Sequence, residues 1–201
     1  MTTVSQQVQE IAAALAVRAG NGRALVALDG RAGAGKTTLA AALAEQLGGG
    51  GRVAVVHGDD FFRPMSAGAR LSMDTVEGYG RYFAWQRVRD QVLAPLREGR
   101  AARYAPYRHE AESVVYDDPR HLPADGTVIV EGVLTARPQL AAFYDLTVFV
   151  DTPGAVCLRR LHARGRGRER DAWIERWRAV EEYYLTTTRL RARADLTVPG
   201  T

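Results

Sequence analysis

Apolar residues are concentrated in five short runs without polar alternation, at residues 24–28, 53–57, 127–131, 146–151 and 195–198. Runs of this length that are rich in Val, Ile and Leu are typical of strands covered on both faces. Helical periodicity is found between them, at residues 37–47, 82–97, 155–163 and 172–193. This alternation predicts an α/β fold in which helices flank a five-stranded parallel sheet.

Other features of the pattern concern the organisation of the chain. Residues 4–18 are predicted to form an amphipathic helix because apolar side chains recur at helical spacing, at Val4, Val8, Ile11 and Leu15. Four glycines at 48–51 are predicted to end the second helix. No repeat or linker divides residues 1–201, which predicts one domain. A long excursion, about 61–125, separates the second and third strands.

Composition and charge narrow the function classes. No apolar run approaches the roughly 20 residues of a membrane span, and the N-terminal sequence has no secretory pattern. The single cysteine, Cys157, has no second cysteine to pair with, so a reducing, cytoplasmic setting is expected. The net charge of +4 is compatible with nucleic acid or with a polyphosphate ligand. Of 27 cationic residues only Lys36 is lysine.

The strongest chemical signal surrounds that lysine. Residues 30–37 read Gly-Arg-Ala-Gly-Ala-Gly-Lys-Thr and match the P-loop pattern at every defined position. Such a loop turns its backbone N–H groups toward phosphate oxygens, while Lys36 reaches the β- and γ-phosphates and Thr37 ligates Mg²⁺. A glycine-rich turn that binds nothing is the alternative, and the strand before and helix after the loop disfavour it. The predicted ATP-binding residues are Gly30, Arg31, Ala32, Gly33, Ala34, Gly35, Lys36, Thr37 and Thr38.

Three of the predicted strands end in or beside an acid, at Asp29, Asp59 and Glu131. Asp59 comes just after the second strand, where a carboxylate could accept the proton of an attacking hydroxyl. Asp60 follows directly and is predicted to be structural. Helix capping and metal binding are the alternatives for the pair Asp59-Asp60. Glu131 ends the third strand beside the P-loop, where a water-mediated Mg²⁺ ligand is expected. Phe61 and Phe62 are predicted to be core or pocket wall.

An arginine-rich segment, about 159–171, follows the fourth strand. In a phosphotransferase it would form a mobile lid whose cations neutralise the transferring phosphoryl group, with Arg160 and Arg164 as the candidates. A solvated charged turn is one alternative and a nucleic-acid patch is another. Few aromatic residues are interleaved with these arginines, so base stacking is poorly supported.

Six segments resemble the uridine kinase family, within the group that includes nicotinamide riboside kinase, pantothenate kinase and phosphoribulokinase. They are residues 29–38 (DGRAGAGKTT), 57–64 (HGDDFFRP), 92–99 (VLAPLREG), 128–134 (VIVEGVL), 148–161 (VFVDTPGAVCLRRL) and 183–198 (YYLTTTRLRARADLTV). The resemblance implies a P-loop kinase fold that uses ATP and Mg²⁺. It also implies that Asp59 is the general base, that Glu131 is the Walker-B-like acid and that the later arginines form the lid.

The sequence departs from this family where an acceptor would bind. Ala84 occupies a position that often holds an aspartate able to bind ribose hydroxyls. Tyr107-Arg108 replaces a usual tyrosine-aspartate pair, and Ala163-Arg164 replaces a usual arginine-aspartate in the lid. The phosphate end of the site is therefore intact, whereas the acceptor end is altered.

The leading prediction is an ATP-dependent kinase for a hydroxyl of a small molecule, most simply a nucleoside. Nicotinamide riboside, pantothenate, a sugar or a natural product are alternative acceptors, and a nucleic-acid-binding ATPase is a further one. A GTPase-type switch is disfavoured because the Asn-Lys-x-Asp guanine motif is absent. No nucleic-acid or membrane partner is expected, and the oligomeric state is left open. The predicted acceptor-binding residues are Phe62, Tyr82, Trp85, Tyr107, Arg108 and His109.

Overall fold

A computed structural model describes residues 3–18, 23–48, 52–109, 111–165 and 167–200. Its main sheet has five parallel strands in the order β2-β7-β1-β8-β9. These strands are β1 (Arg23–Gly30), β2 (Val53–His57), β7 (Gly126–Glu131), β8 (Leu146–Asp151) and β9 (Leu196–Pro199). The predicted α/β fold with a five-stranded parallel sheet is confirmed, and the strand bounds agree with the pattern to within two residues.

Helices cover both faces of this sheet. In chain order they are α1 (Val4–Arg18), α2 (Lys36–Gly48), α3 (Ala67–Ser72), α4 (Thr75–Arg81), α5 (Trp85–Val88), α6 (Ala94–Arg97), α7 (Gly154–Ala163), α8 (Arg168–Thr188) and α9 (Leu190–Arg193). The second helix ends at Gly48, and the other three glycines of the run, 49–51, lie outside the described residues. Residue 166 of the predicted lid lies outside them as well.

The excursion between β2 and β7 carries α3 to α6 and two small antiparallel pairs of strands. The first pair is β3 (Ala102–Tyr104) with β6 (Arg120–Leu122), and the second is β4 (Tyr107–Arg108) with β5 (Ser113–Val114). A π-helical turn, Arg89–Leu93, joins α5 to α6, so the three form one continuous helical rod.

The start of this rod differs from the prediction. The pattern indicated a helix from residue 82, whereas α5 begins at Trp85. Phe62 and Phe83 form an isolated antiparallel bridge, and the Ala84 N–H donates to the Phe61 carbonyl oxygen at 2.8 Å. Because these backbone groups are engaged across the two segments, residues 82–84 are not available for the first helical turn.

Alternate residues of the central strands pack into two separate hydrophobic clusters. Leu25 and Ala27 of β1 face one cluster with α8 and the excursion, whereas Val26 and Leu28 face the other with α1 and α2. This is the two-sided burial that apolar runs without alternation predict. The central strands are therefore buried on both faces.

The register brings the ends of β1, β2 and β7 to one edge. Glu131 lies opposite Leu28 on one side and opposite His57 on the other. Gly30, at the end of β1, has a φ of +151°, and a Cβ there would lie 2.5 Å from the Val150 carbonyl oxygen. Only glycine fits this turn, from which the P-loop leaves the sheet.

Candidate active site

The P-loop wraps around the side chain of its own lysine. Lys36 is only 6% exposed, and its Nζ donates to the carbonyl oxygens of Gly30 at 2.9 Å and Arg31 at 2.8 Å. Helix α2 begins at Lys36, so its free N–H groups and positive dipole end face the loop. An ammonium and a set of amides thus converge where phosphate oxygens would lie.

Helices α7 and α8 hold the loop in this shape. Glu181 is 2% exposed and accepts a hydrogen bond from the Ala32 N–H at 2.7 Å, while burial raises the pKa of its carboxyl. Arg31 pairs with the neighbouring acid, Glu182, at 2.6 Å. Arg160 Nη1 donates to the Gly33 carbonyl oxygen at 3.0 Å. Arg160, predicted as a lid cation, therefore supports the loop in this structure.

Asp29 anchors the strand that leads into the loop. It is fully buried and accepts three hydrogen bonds, from the N–H groups of Gly30 and Ala136 at 2.6 and 2.7 Å and from the Tyr184 hydroxyl at 2.8 Å. Burial raises the pKa of its carboxyl, whereas these donors favour the charged form. The acid thus ties β1, the segment after β7, and α8 together beneath the loop.

Replacing Tyr184 with phenylalanine is expected to lower the free energy of unfolding by about 1–3 kcal/mol, because Asp29 stays buried with one donor fewer. Urea denaturation measures this loss. Tyr183→Phe is the matched control, since Tyr183 is only half-buried and its ring packs edge-on against Tyr79. Equal stability of the two variants would show that the Tyr184 hydroxyl contributes nothing to holding Asp29.

Two predicted metal ligands are adjacent. The Thr37 hydroxyl donates to Glu131 Oε1 at 3.2 Å, and Glu131 is 5% exposed. His57 Nδ1 lies 2.7 Å from the same oxygen, and this hydrogen bond raises the pKa of the imidazole. A hydroxyl and a carboxylate are the hard oxygen donors that suit Mg²⁺, which takes its remaining ligands from water and phosphates. Among the described residues, no group of three or more His, Cys, Asp or Glu side chains is placed to hold a metal ion.

Asp59 faces the same cleft as Lys36 and Glu131. It lies in a short 3₁₀ turn, Gly58–Phe61, directly after β2. Asp59 is exposed to the cleft. Desolvation of its carboxyl by the neighbouring protein raises its pKa, and the charge of Glu131 raises it further. A raised pKa makes a carboxylate a stronger base.

Asp60 points elsewhere, as predicted for a structural residue. It accepts a hydrogen bond from the Tyr104 hydroxyl at 3.0 Å and pairs with Arg108 at 3.5 Å. Two adjacent aspartates thus have different surroundings. Only Asp59 faces the lysine across the cleft.

A cleft of about 290 Å³ joins these groups. Of the predicted site residues, its lining contains Ala32, Gly33, Gly35, Lys36, Thr37, Thr38, Asp59, Phe62, His109, Glu131 and Arg164. Gly30, Arg31 and Ala34 belong to the loop but do not line the cleft. Arg164 is exposed at its mouth beside Arg170, whose guanidinium is held by the carbonyl oxygens of Gly165 and Leu161.

Aromatic side chains form the far wall. Phe62 packs against Trp177 with ring centroids 5.3 Å apart, and Trp173 packs against Trp177 at 5.6 Å. Both tryptophans line the cleft, and the sequence reasoning assigned them no role. Their spacing of four residues on an otherwise highly charged helix is the signal that could have found them, since i and i+4 share a helix face.

The other four acceptor candidates do not line this cleft, because packing places them elsewhere. Tyr82 and Tyr107 are core residues, 1% and 2% exposed. The Tyr82 hydroxyl donates to the Arg70 carbonyl oxygen at 2.5 Å. Trp85 stacks against Arg89, with the guanidinium carbon 5.2 Å from the ring centroid, and Arg108 pairs with Asp60. Of the predicted set, only Phe62 and His109 are in position to touch a ligand there.

A parallel sheet with a phosphate-binding loop after β1 places the chain among the P-loop nucleotide-binding proteins. Its particular group follows from comparison with known proteins. Residues 25–200 match the Phosphoribulokinase / Uridine kinase family, and the chain belongs to this family. It is therefore a small-molecule kinase. Across the described helices, none has the length and apolar content needed to cross a bilayer.

The relatives found individually are also kinases. A uridine kinase of Mycoplasma genitalium is 26% identical over 181 residues, covering 87% of this chain and 84% of that protein. A thymidylate kinase of Xanthomonas campestris pv. campestris is 34% identical over 151 residues, covering 72% and 63%. A solved structure described as a possible uridine kinase from Bacillus stearothermophilus has a TM-score of 0.75 at 23% identity, covering 96% and 98%. At that identity the structural likeness establishes the fold.

Proposed function

We propose that this chain transfers the γ-phosphate of ATP to a hydroxyl of a small molecule, with nucleoside-like compounds as the first candidates. The observation that carries the proposal is the shared cleft. Its lining includes Lys36 of the P-loop, Asp59 and the wall of aromatic rings. A donor nucleotide and an acceptor could meet there with no further element of the chain.

The roles of the residues follow from the charges around the cleft. Lys36 and the loop amides would hold the terminal phosphates, and Thr37 with Glu131 would hold Mg²⁺, which neutralises charge on the phosphates when bound. His57 would orient Glu131 through their hydrogen bond. Arg164 and Arg170 would approach the phosphoryl group from the mouth of the cleft.

Asp59 would act on the acceptor. As the acceptor oxygen forms its bond to the γ-phosphorus, the bond to the β-phosphate oxygen breaks and ADP leaves. The hydroxyl proton passes to the Asp59 carboxylate, whose raised pKa suits this transfer. Positioning and charge neutralisation supply the rest of the catalysis.

Uridine- or cytidine-like acceptors are supported by the aromatic wall, because rings of Phe62, Trp173 and Trp177 could stack on a base. A vitamin, sugar or natural-product acceptor is the second candidate. Ala84 supports it, because this position often holds an aspartate in the family and a methyl group cannot accept hydrogen bonds from ribose hydroxyls. A cytoplasmic location suits both, because ATP is available there and the single thiol of Cys157 stays reduced.

A panel assay tests the proposal. ATP consumption and product formation are measured with nucleosides, nicotinamide riboside, pantothenate and sugars, with and without Mg²⁺. At least one acceptor is expected to give Mg²⁺-dependent, stoichiometric ADP and phosphorylated product that the Asp59→Asn variant does not form. ATP hydrolysis that no acceptor stimulates, but that DNA or RNA does, would instead identify a nucleic-acid-dependent ATPase.

A further inference from the structure

A buried threonine contacts the P-loop from behind. Thr152 follows β8 directly and is 4% exposed, and its Oγ1 donates to the Ala34 carbonyl oxygen at 3.0 Å. Neither Thr152 nor Ala34 lines the cleft. Buried carbonyl groups need a hydrogen-bond donor, and this one belongs to the loop that would hold phosphate. The direction in which it points therefore bears on the site.

The hydrogen bond fixes the orientation of one peptide group of the loop. In a planar trans peptide the C=O and the following N–H point in opposite directions, and none of the peptide bonds in the described ranges is cis. The Ala34 carbonyl points toward Thr152, outside the cleft lining, so the Gly35 N–H points the other way. Gly35 lines the cleft together with Lys36 and Thr37. Its amide is thus directed to where phosphate would lie.

The preceding peptide group cannot take this role, because both of its polar atoms are engaged inside the protein. The Ala34 N–H donates to the Arg31 carbonyl oxygen at 3.0 Å, and the Gly33 carbonyl oxygen accepts from Arg160. The peptide between Ala34 and Gly35 is therefore the one whose N–H the loop can offer to a ligand at this point.

Gly200 leaves room for the hydrogen bond from Thr152. A Cβ at position 200 would overlap both Thr152 Oγ1 and the Ala34 carbonyl oxygen. Any residue larger than glycine there would displace the donor or its acceptor. The Gly200 N–H donates to the Asp151 carbonyl oxygen at 2.9 Å, which fixes Gly200 beside the loop.

The first helix also holds this segment. Gln7 of α1 is 1% exposed, and its Nε2 donates to the carbonyl oxygen of Pro199, the last residue of β9, at 2.5 Å. Helix α1 and strand β9 thus act together on Gly200, although neither element lines the cleft.

We propose that Thr152 is a positioning residue for nucleotide binding, which turns the Gly35 N–H toward a phosphate oxygen, and that residue 200 must be glycine to permit this. The inference rests on the proposed function in that the P-loop holds a nucleoside triphosphate. An amide that is already oriented need not be reorganised when the anion binds, and its hydrogen bond to an anion is stronger than one between neutral groups. Without the Thr152 hydroxyl, the peptide would be free to rotate away.

Binding of two probes to the full chain tests the proposal by titration calorimetry with Mg²⁺. One is a non-hydrolysable ATP analogue, and the other is inorganic tripolyphosphate, which can be held only through its phosphates. Thr152→Val removes the donor at nearly constant shape and is expected to weaken both probes about tenfold, as loss of a hydrogen bond to a charged group would. Thr152→Ser keeps the donor and should restore binding. Gly200→Ala should weaken both probes as Thr152→Val does.

Matched controls separate positioning from stability. Thr188→Val removes the same kind of hydrogen bond, from a threonine hydroxyl to the Tyr184 carbonyl oxygen at 2.8 Å, away from the loop. Gly80→Ala adds a methyl group that meets no atom of another described element within 4 Å. Both controls should bind the probes as the wild type does. If Thr152 were only structural, Thr152→Val and Thr188→Val would lose similar stability in urea and neither would lose affinity.

Kinetics add a second readout once an acceptor is found. Because the Gly35 amide would hold the phosphate in the ground state and the transition state alike, Thr152→Val should raise KM for ATP and leave kcat nearly unchanged. A fall in kcat with KM unchanged would contradict a role in nucleotide binding.

Wild-type affinity of Thr152→Val for both probes would overturn the inference, and wild-type affinity of Gly200→Ala would reject the need for glycine. Where a variant does not fold, a crystal structure of the wild-type complex with the ATP analogue decides. A Gly35 nitrogen beyond hydrogen-bond distance of every phosphate oxygen would overturn the inference there. Phosphate transfer is followed separately. Transfer by a chain in which Thr152→Val has no effect would reject the positioning role alone, whereas weakened probe binding without transfer to any acceptor would reject the kinase function alone.

Discussion

Replacing Asp59 with asparagine is expected to lower the rate of phosphate transfer by about 10²–10⁴-fold, the usual contribution of a positioned general base. The amide keeps the size of the carboxylate but cannot take the hydroxyl proton. ATP binding should be nearly unchanged, since under the proposed function the phosphates are held by Lys36 and the loop amides rather than by Asp59. Initial rates with the best acceptor and calorimetric ATP affinity measure the two effects separately.

Asp60→Asn provides the matched control for this experiment. It makes the same substitution one residue away, where the carboxylate contacts Tyr104 and Arg108 and does not line the cleft that contains Lys36 and Asp59. Its transfer rate should fall far less than that of Asp59→Asn, and any loss should accompany a loss of stability. Wild-type turnover by Asp59→Asn would reject Asp59 as the base.

Lys36→Ala is expected to lower transfer by about 10²–10³-fold, the loss typical of removing one preorganised electrostatic donor. ATP affinity should fall as well, because Lys36 is the cation enclosed by the P-loop. Lys36→Arg should also be strongly impaired, since the wider guanidinium cannot occupy a space formed around an ammonium that is 6% exposed. Steady-state kinetics and ATP titration measure both variants.

Arg31→Lys is the control for Lys36→Arg, because it makes the reverse exchange of cations in the same loop. The Arg31 guanidinium pairs with Glu182, which is largely exposed, and Arg31 does not line the cleft, so exchanging the cation there should change the rate little. If Lys36→Ala retained wild-type rate and ATP affinity, the loop would not be a phosphate cradle. Equal impairment by Arg31→Lys would mean that loop shape, rather than the ammonium at 36, limits transfer.

The strands were predictable because burial on both faces leaves a direct mark in the sequence. The run at 127–131, for example, has three successive apolar residues between Thr127 and Glu131, and the structure places all three in the core. The residues at the phosphate end were predictable for a related reason. The P-loop after β1, Asp59 after β2 and Glu131 at the end of β7 are brought to one edge of the sheet by the parallel register alone.

The acceptor end could not be predicted in the same way, because it depends on contacts between distant segments. The side chain of Tyr82 ends in a hydroxyl and lies in a segment with helical periodicity, which made it a candidate to bind the acceptor. In the structure its ring is enclosed by Trp173 and Trp177, from a helix some ninety residues later. Phe62 reaches the cleft, whereas Phe61 beside it is fully buried, and no local pattern separates them.

A crystal structure with Mg²⁺ and a non-hydrolysable ATP analogue tests the central claim most directly. The γ-phosphate should lie between Lys36 Nζ and Asp59, with the carboxylate roughly 6 Å or less from the γ-phosphorus, which leaves room for one acceptor hydroxyl. Thr37 and Glu131 should hold the metal directly or through water. A nucleotide bound outside the loop, or a γ-phosphate that no hydroxyl near Asp59 could reach, would contradict the proposed function.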